Sequence, residues 1–434
     1  MTKYEELLAK IQNKDAKVCV IGMGYIGLPT ALFYARAGLD VKGIDTNEDL
    51  VTELGEGKIR MKEEGLDELA REYLDSIPVT TSYDSICDSD VYVLCLPSPI
   101  NQENRAVLKY LEDTVRKLGQ RVQERCLIIV ESTIPVGATD KLATLFAEES
   151  KMILGEDFWF VHCPERVLPG KVVQEMDTNH RLAGGVTDLS TALGKAFLET
   201  VFDPELVHPT TASVSETAKL AENAYRDVQI GFVNELAKLC TEMSIDVTEV
   251  IRLANLHPRI SMLKPGLGVG GYCLPKDGWI LVDSARENDY QAKIIPAARE
   301  VNESMPGHVF SRIQELVLED STAKRFIGLL GLSFKPNVSD TRNSPSVDLL
   351  RLLTSAGDKV IVYDPYVDRD FGGQKACSLE DVVSQCEIIV LAVPHDILIE
   401  ELQSQDLAGI ILVDPWHKVP HLSSKVDRYL GLTA

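Results

Sequence analysis

Residues 17–47, KVCVIGMGYIGLPTALFYARAGLDVKGIDTN, limit what this chain can fold into more than any other segment. An apolar run at 18–21 precedes a GMGYIG turn, a helical pattern that ends at Gly38, and a second apolar run that ends at Asp45. In such a unit the glycines permit a tight turn, close approach of a pyrophosphate and close packing of helix on strand. The helix N-terminus then faces the phosphates. Asp45 would accept hydrogen bonds from an adenosine ribose and repel a 2′-phosphate, so the segment predicts an NAD site.

A second unit of the same kind occurs near the other end of the chain. RFIGLLGLSFKP (325–336) indicates a strand and turn, SPSVDLLRLLTSAG (344–357) a helix, and KVIVYDP (359–365) a strand that ends in an acid. Two such units predict an α/β protein with two doubly wound, Rossmann-like parallel-sheet domains. The second turn lacks GxGxxG and contains Phe334-Lys335-Pro336. We therefore expect it to bind something other than a second dinucleotide.

Between the two units lies a proline-free segment, residues 213–243, with apolar residues three and four positions apart. This spacing predicts an amphipathic helix of about eight turns that joins the domains, with an apolar stripe that can pair with a second copy. Lys219, Asn223 and Arg226 share a different face of this helix. The polar face is either solvated or part of a site. We predict domains at 1–206, 207–306 and 307–434, the middle one helical.

The segment 257–278, HPRISMLKPGLGVGGYCLPKDG, predicts a long irregular loop, and such loops are often functional. Cys273 follows two glycines that permit close approach of a ligand, and Lys276 and Asp277 follow closely. A nearby cation can lower the pKa of a thiol, although most cysteines are small buried apolar residues. Two further loops follow strand-like runs, one with Ser132 and Thr133 and the other with Glu165 and Arg166. Glu165 is either a site residue or a solvated loop acid.

The charge balance excludes several classes of partner. The chain has 434 residues, and 44 Lys+Arg against 66 Asp+Glu give a formal net charge of −22. A net-acidic surface disfavours nucleic acid and anionic lipid, so an anionic ligand must be held by local cations, helix termini or backbone amides. The nine cysteines show no CxxC spacing, the start has no apolar signal core, and no apolar run could cross a membrane. We expect a cytoplasmic protein without a metal site.

Seven ordered motifs, spread over almost the whole chain, resemble the UDP-glucose/GDP-mannose dehydrogenase superfamily, whose members are NAD-dependent nucleotide-sugar 6-dehydrogenases. These motifs are GMGYIGLP (22–29), ESTIPVG (131–137), CPERVLPGK (163–171), KLAENAYRDV (219–228), RLANLHPR (252–259), GVGGYC (268–273) and SFKPNVSDTRNSP (333–345). Within the family, CPERVLPG and RLANLHPR are most similar to the UDP-N-acetylmannosamine dehydrogenases. The resemblance implies oxidation of the sugar C6 alcohol to a carboxylate by two NAD+ and one water, in support of surface polysaccharide synthesis.

The resemblance also implies roles for individual residues. Cys273 would be the nucleophile, and Lys219 and Asn223 would hold or deprotonate the C6 oxygen. Asp277 would activate water or hold Lys219, and Glu165 would serve the hydrolytic step. The expected cofactor-binding residues are Gly22, Gly24, Tyr25, Ile26, Gly27, Asp45, Pro97, Ser98, Ser132, Thr133 and Arg342. The expected substrate-binding residues are Arg166, Val167, Lys219, Asn223, Arg226, His257, Arg259, Gly270, Phe334 and Lys335.

Several alternatives remain open at this point. Tyr272 stands where the nearest branch typically has His, so UDP-N-acetylglucosamine, UDP-N-acetylgalactosamine and UDP-glucose are rival substrates. A two-electron hydroxyacid dehydrogenase and a non-catalytic NAD or nucleotide-sugar sensor are more remote alternatives. The resemblance further implies a homodimer or a higher homo-oligomer, in which Arg259 can reach the neighbouring subunit.

Overall fold

The protein is described here by a computed structural model in which two compact units each contain their own sheet. The first unit comprises residues 1–222 and 283–289, and the second comprises 223–282 and 290–434. This architecture confirms the predicted α/β class with two Rossmann-like sheets and a long central helix. The division into three domains remains a prediction. The structure describes residues 1–61, 63–86, 88–122, 124–319 and 326–433.

The first unit contains a sheet of eight strands with helices between them. Its elements, in chain order, are α1 (Lys3–Gln12), β1 (Lys17–Ile21), α2 (Gly27–Arg36), β2 (Asp40–Ile44), α3 (Glu48–Gly55), α4 (Leu66–Tyr73), β3 (Val79–Thr80), β4 (Val91–Leu94), α5 (Lys109–Gly119), β5 (Cys126–Val130), α6 (Ala138–Ser150), β6 (Phe158–His162), α7 (Val172–Thr178), β7 (Arg181–Gly185), α8 (Asp188–Glu199) and β8 (Val207–Thr211).

The strand order of this sheet is β3-β2-β1-β4-β5-β6-β7-β8, and every pair is parallel except β6 with β7. Alternate residues of β1 enter two different apolar clusters, Val18 and Val20 in one, Cys19 and Ile21 in the other. Apolar layers on both faces explain why the central strands read as continuous apolar runs. The order reverses between β1 and β4, so ligands are expected beyond the carboxyl ends of these strands.

The long helix α9 (Ala212–Glu242) begins in the first unit, and its residues from Asn223 onwards belong to the second. The remaining elements are α10 (Val247–Ala254), α11 (Leu274–Glu287), α12 (Ile294–Glu319), β9 (Phe326–Leu330), α13 (Pro345–Ser355), β10 (Lys359–Tyr363), β11 (Gln374–Lys375), α14 (Leu379–Gln385), β12 (Ile388–Leu391), α15 (Asp396–Ser404), β13 (Ile411–Val413) and β14 (Arg428–Leu430). Their sheet is parallel throughout, in the order β11-β10-β9-β12-β13-β14. The order matches that of the first six strands, as the internal repeat predicts.

One predicted loop ends earlier than the sequence suggested. The irregular segment was expected to extend through residue 278, but α11 begins at Leu274. Pro275 is compatible with this start because the first turn of a helix needs no hydrogen bond from its backbone nitrogen. Within the described ranges, no helix is both long and apolar enough to cross a membrane.

Candidate active site

The glycine turn after β1 is closely packed at two of its three glycines. A Cβ on Gly27 would lie 1.8 Å from the Gly22 carbonyl oxygen, and one on Gly22, where φ is +93°, would lie 2.5 Å from the Cys95 carbonyl oxygen. A Cβ on Gly24 would meet nothing within 4 Å. Gly22 and Gly27 are therefore required by packing, whereas Gly24 leaves the backbone open to a ligand. No side chain caps the N-terminus of α2, and the Leu28 N–H in its first turn donates to the Gly24 carbonyl at 3.1 Å.

The other predicted cofactor residues of the first unit lie around this turn or at the carboxyl ends of β2, β4 and β5. Asp45 follows β2, and its two oxygens accept the backbone N–H groups of Met23 at 2.8 Å and Asn47 at 2.9 Å. The Ser132 hydroxyl accepts the Leu96 N–H at 2.9 Å and so ties the end of β5 to the end of β4. The predicted residues not yet placed are Tyr25, whose hydroxyl bonds to Glu63, Ile26, which precedes α2, the exposed Pro97, the half-buried Thr133 and the buried Ser98.

Glu165 is a buried, paired carboxylate and not a solvated loop acid. It is 8% exposed, accepts the Arg166 N–H at 2.6 Å, and lies 3.4 Å from a guanidinium nitrogen of Arg181. The Arg166 side chain bonds to Glu222 through two nitrogens and donates to the His180 carbonyl at 2.9 Å. Val167 packs against the core of the first unit. An anionic substrate would have to compete with Glu222 for Arg166.

The start of α9 is fixed to the first unit by polar contacts, which position Lys219. The Ser215 hydroxyl lies 2.9 Å from Nδ1 of His162, and Glu216 accepts the backbone N–H groups of Gly137 at 2.6 Å and Thr139 at 2.8 Å. Glu216 therefore caps the N-terminus of α6 from another helix. Burial lowers the pKa of His162 to about 3, so the imidazole is neutral. Lys219, 9% exposed, is on a buried face of the helix and not on a solvated one.

Cys273 is exposed and directly precedes α11. Its carbonyl accepts the N–H groups of Lys276 at 3.1 Å and Asp277 at 2.9 Å, so it forms the first turn of that helix. Amides at a helix N-terminus stabilise a thiolate. Of the cysteines that the structure describes, Cys377 is also exposed.

One turn further along α11, the Asp277 carboxyl group lies between the side-chain amide of Asn223 and the ammonium of Lys276. The Asn223 amide donates to its Oδ2 at 2.7 Å, and the Lys276 ammonium lies 3.3 Å from its Oδ1. Asp277 has no exposed surface. Three residues of the predicted site thus come together in the second unit, namely Asn223, Cys273 and Asp277.

The two glycines before Tyr272 make room for protein groups. A Cβ on Gly270 would lie 2.5 Å from the Asn343 carbonyl oxygen, and one on Gly271, where φ is +88°, would lie 2.9 Å from the Phe334 ring. The expected room for a ligand is therefore taken by Phe334 and Asn343, and substrate contacts of Gly270 and Phe334 remain predictions. The Gly271 N–H donates to the Arg342 carbonyl at 2.9 Å, which fixes the cysteine loop to the second sheet domain.

Cations surround the residue that precedes Cys273. The Arg342 guanidinium lies 5.1 Å from the centroid of the Tyr272 ring, and the Lys276 ammonium lies 4.8 Å from it. Arg342 also forms an ion pair with Asp340. The Lys335 ammonium lies 6.0 Å from the centroid of the Phe334 ring. Arg342 and Lys276 are each paired with an aspartate, so an anionic substrate would compete with these carboxylates.

His257 and Arg259 lie in an exposed loop after α10. Asn255 closes the loop, since its side chain accepts the Met262 N–H at 2.7 Å and donates to the Met262 carbonyl at 3.1 Å. Arg226 is exposed on α9. These three predicted substrate residues therefore point to a surface of the second unit.

Sequence reasoning missed several buried ionisable residues of the first unit, among them Glu131, Arg181 and Glu216. One signal was available, because Glu131 directly follows the apolar strand CLIIV and opens the ESTIPVG motif. In the part of the chain that the structure describes, no three His, Cys, Asp or Glu side chains are placed to hold a metal ion.

Two Rossmann-type sheets, the first with a glycine turn after its first strand, are typical of a nicotinamide-dependent dehydrogenase. Family profiles described as the NAD binding, central and UDP binding domains of the UDP-glucose/GDP-mannose dehydrogenase family match residues 16–204, 213–304 and 328–419. The chain belongs to this family. It is an NAD-dependent nucleotide-sugar dehydrogenase, which confirms the predicted cofactor and enzyme class.

Individual relatives agree with this assignment. The chain is 38% identical to a UDP-N-acetyl-D-mannosamine dehydrogenase of Methanocaldococcus jannaschii, over 91% of this chain and 88% of the relative. It is 34% identical to an NDP-N-acetyl-D-galactosaminuronic acid dehydrogenase of Ralstonia solanacearum, over 92% and 95%. A solved structure of the UDP-D-ManNAc dehydrogenase from Pyrococcus horikoshii matches with a TM-score of 0.86 at 33% identity, over 96% of this chain and 99% of that one.

Proposed function

We propose that this enzyme oxidises C6 of UDP-N-acetyl-D-mannosamine to the uronate, in four electrons, through a thioester on Cys273. The observation that carries the proposal is the exposed thiol at the N-terminus of α11, one turn from the buried Asp277–Asn223 pair. The choice of sugar rests on the relatives named UDP-N-acetyl-D-mannosamine dehydrogenase, which are 34–38% identical to this chain.

The proposed reaction consists of two oxidations and a hydrolysis. NAD+ supplies the hydride acceptor for both oxidations. The C6 alcohol first loses a proton to a base and a hydride, which gives an aldehyde. The Cys273 sulfur then adds to the aldehyde carbon, and the oxygen gains a proton to give a thiohemiacetal. Loss of a second proton and hydride gives a thioester, and water cleaves its C–S bond to release the carboxylate and the thiol.

The first unit would contribute the oxygen-handling lysine and the hydrolytic acid. Lys219 stabilises the developing alkoxide or takes its proton, because an ammonium aimed at such an oxygen lowers the barrier. Asn223, one helical turn away, donates to the same oxygen while Asp277 holds its amide. Glu165 accepts the proton of the attacking water. Arg181 pairs with Glu165 at 3.4 Å and so fixes the position of its carboxyl group.

The second sheet domain would hold the nucleotide of the substrate. Phe334 and Lys335 replace the glycine fingerprint in its first turn, and Arg342 adds a further cation. His257 and Arg259 would contact the substrate from their exposed loop, in this subunit or a neighbouring one. We propose a homodimer or a higher homo-oligomer for this reason.

A panel of UDP-sugars with saturating NAD+ tests the choice of substrate. We expect the highest kcat/KM with UDP-N-acetyl-D-mannosamine and two NADH per sugar consumed. A higher value with UDP-N-acetylglucosamine, UDP-N-acetylgalactosamine or UDP-glucose would reassign the sugar. One NADH per sugar would support two-electron chemistry, and binding without any NADH would support a sensor.

The covalent step is tested by Cys273→Ser. We expect turnover to fall by on the order of 10³-fold or more, because a hydroxyl does not replace a thiolate as nucleophile. Mass spectrometry of the wild-type enzyme quenched during turnover should show the sugar attached to the peptide that contains Cys273. Cys377→Ser, which removes the other exposed thiol, is the matched control and should leave kcat unchanged. A Cys273→Ser enzyme that makes uronate at the wild-type rate would overturn the mechanism.

A further inference from the structure

A buried histidine lies where the second sheet reverses its strand order. His395 has no exposed surface and directly precedes α15, just after β12. In the sheet, β9 lies between β12 and β10, so the chain order reverses there. Ligands of open parallel sheets bind beyond the carboxyl ends of the strands at such a reversal. The turn 333–337, SFKPN, follows β9 at this place and contains Phe334 and Lys335, which are proposed to hold the nucleotide.

The imidazole of His395 contacts both ends of the 333–337 turn. Its Nδ1 lies 2.8 Å from the backbone nitrogen of Asn337, which donates to it. Its Nε2 lies 3.3 Å from the Ser333 hydroxyl and 3.2 Å from Oδ2 of Asp364, the acid that follows β10. A single ring thus joins the segments that follow β9, β10 and β12.

These partners assign the tautomer of His395. The Asn337 backbone N–H can only donate, so Nδ1 accepts and carries no proton. The Ser333 hydroxyl donates its own hydrogen to the Lys335 carbonyl at 2.8 Å, so its oxygen, like Asp364 Oδ2, is left to accept from Nε2–H. A proton on Nδ1 would place two donors against each other at a buried ring, which is costly.

Asn337 ends the turn in a backbone conformation that depends on its contacts. Its φ is +61°, in the left-handed region that residues other than glycine seldom adopt. Its side chain exchanges two hydrogen bonds with Asp396, one to the Asp396 carboxylate at 2.6 Å and one from the Asp396 N–H at 3.0 Å. His395 holds the backbone of the same residue. The start of α15 therefore fixes both the side chain and the main chain at the end of the turn.

We propose that His395 is a positioning residue for the nucleotide of the substrate. By accepting the Asn337 N–H, it keeps the 333–337 turn in one shape before the nucleotide arrives. A preformed turn avoids the loss of binding free energy that the ordering of a mobile loop would cause. The inference rests on the proposed role of Phe334 and Lys335 in binding UDP, and it assigns part of that affinity to a residue that acts through Asn337.

Two substitutions separate the two sides of the ring. In His395→Asn the amide oxygen lies near the place of Nδ1 and can still accept the Asn337 N–H. In His395→Gln the longer side chain places its amide nitrogen near Nε2, so the bond to Asp364 is kept and the bond to Asn337 is lost. We expect the Kd for UDP, measured by isothermal titration calorimetry, to rise roughly fivefold in His395→Gln, the effect of one lost hydrogen bond. His395→Asn should stay close to wild type.

Steady-state kinetics distinguish positioning from a general loss of stability. In His395→Gln the KM for the UDP-sugar should rise with the Kd for UDP, while kcat and the KM for NAD+ stay unchanged. A purely structural role would instead lower Tm in both variants and leave the KM for the UDP-sugar unaltered. His421→Gln, which changes an exposed histidine of the same unit, is the matched control and should alter none of these constants. Equal effects of His395→Gln and His395→Asn on the Kd for UDP would overturn the inference.

The contact with the turn can also be measured without any substrate. Hydrogen–deuterium exchange with mass spectrometry should show faster exchange of the peptide that contains residues 333–337 in His395→Gln than in His395→Asn or the wild type. Unchanged exchange in His395→Gln would overturn the inference. If the wild-type enzyme does not bind UDP, the proposed function fails, and the exchange measurement then decides separately whether His395 holds the turn.

A measurement on the wild-type enzyme covers the case in which His395→Gln does not fold. In ¹⁵N NMR spectra of the histidine side chains, the signals of His395 are those that disappear in His395→Asn. We expect them to show the proton on Nε2 and a free, accepting Nδ1. A proton on Nδ1 would overturn the inference, because that nitrogen could not accept the Asn337 N–H.

Discussion

Asp277 shows how one buried residue can serve both stability and chemistry. Its carboxylate receives the Asn223 amide on one oxygen and lies beside the Lys276 ammonium on the other. A carboxyl group offers an oxygen on each of these two sides. Since Asn223 is the residue proposed to donate to the C6 oxygen, the position of its amide depends on Asp277.

Asp277→Asn should consequently impair both the stability and the activity of the enzyme. The new amide can accept from Asn223 only by turning its own NH2 group towards the Lys276 ammonium, which leaves two donors facing each other in a buried position. We expect a loss of about 1–3 kcal/mol in stability and a lower kcat with little change in the KM for NAD+. Calorimetry and steady-state kinetics measure the two effects.

The double variant Asp277→Asn/Lys276→Met separates the effect on stability from the effect on kcat. Removal of the ammonium relieves the opposed donors, so thermal stability should recover in part while kcat stays low. Full recovery of kcat in the double variant would show that Asp277 acts only through stability and would contradict its proposed role in the site.

At the scale of single residues, the sequence predicted those that belong to recognisable motifs, such as Cys273 and Asp277. The structure brings these two together in the first turn of α11. It did not predict Glu131 or Arg181. Their side-chain contacts join residues 16 to 101 positions apart on different elements, and nothing local to either residue reports such a pairing.

The two repeated α/β units share an acid after their second strand, and they differ in the contacts of that acid. Asp45 and Asp364 both follow the second strand of their unit, and both accept backbone N–H groups from the preceding turn. Asp45 is half-buried, whereas Asp364 is 9% exposed and also bonds to His395 at 3.2 Å. Although burial acts to raise the pKa of Asp364, its hydrogen bonds with His395 and the backbone lower it. The Asp364 carboxylate is thus bonded to protein groups, in agreement with a turn that does not bind a dinucleotide.

The cysteine loop depends on the absence of side chains at its packing contacts. Gly271→Ala should be costly because φ is +88° and the new Cβ would lie 2.9 Å from the Phe334 ring. The matched control is Gly357→Ala, where φ is +89° and nothing lies within 4 Å of the new Cβ. We expect the control to lose about 1–2 kcal/mol from the backbone alone, and Gly271→Ala to lose more and to lower kcat. Equal losses in calorimetry would contradict the packing of Phe334 on the loop.

At the scale of the whole molecule, α9 combines two unusual faces. The buried face includes polar side chains, among them Glu216, Lys219 and Asp227. Large apolar side chains face outwards instead, at 66% exposure for Tyr225 and 54% for both Phe232 and Leu239. The period of the pattern predicted the helix and an apolar stripe that can pair with a second copy, and in this chain that stripe is exposed.

The exposed stripe supports self-association, and Phe232→Asp tests it. Burial of Phe232 in both copies of a dimer would contribute about 1.5–3 kcal/mol per copy, so a charge there should shift the enzyme towards monomer in analytical ultracentrifugation. Leu189→Asp, an exposed apolar position on α8 of the first unit, is the matched control and should not change the mass. If His257 and Arg259 act in the neighbouring subunit, Phe232→Asp should also lose kcat as it dissociates, and activity should return at high enzyme concentration. A wild-type enzyme that remains monomeric and fully active at every concentration would contradict both the dimer and a shared site.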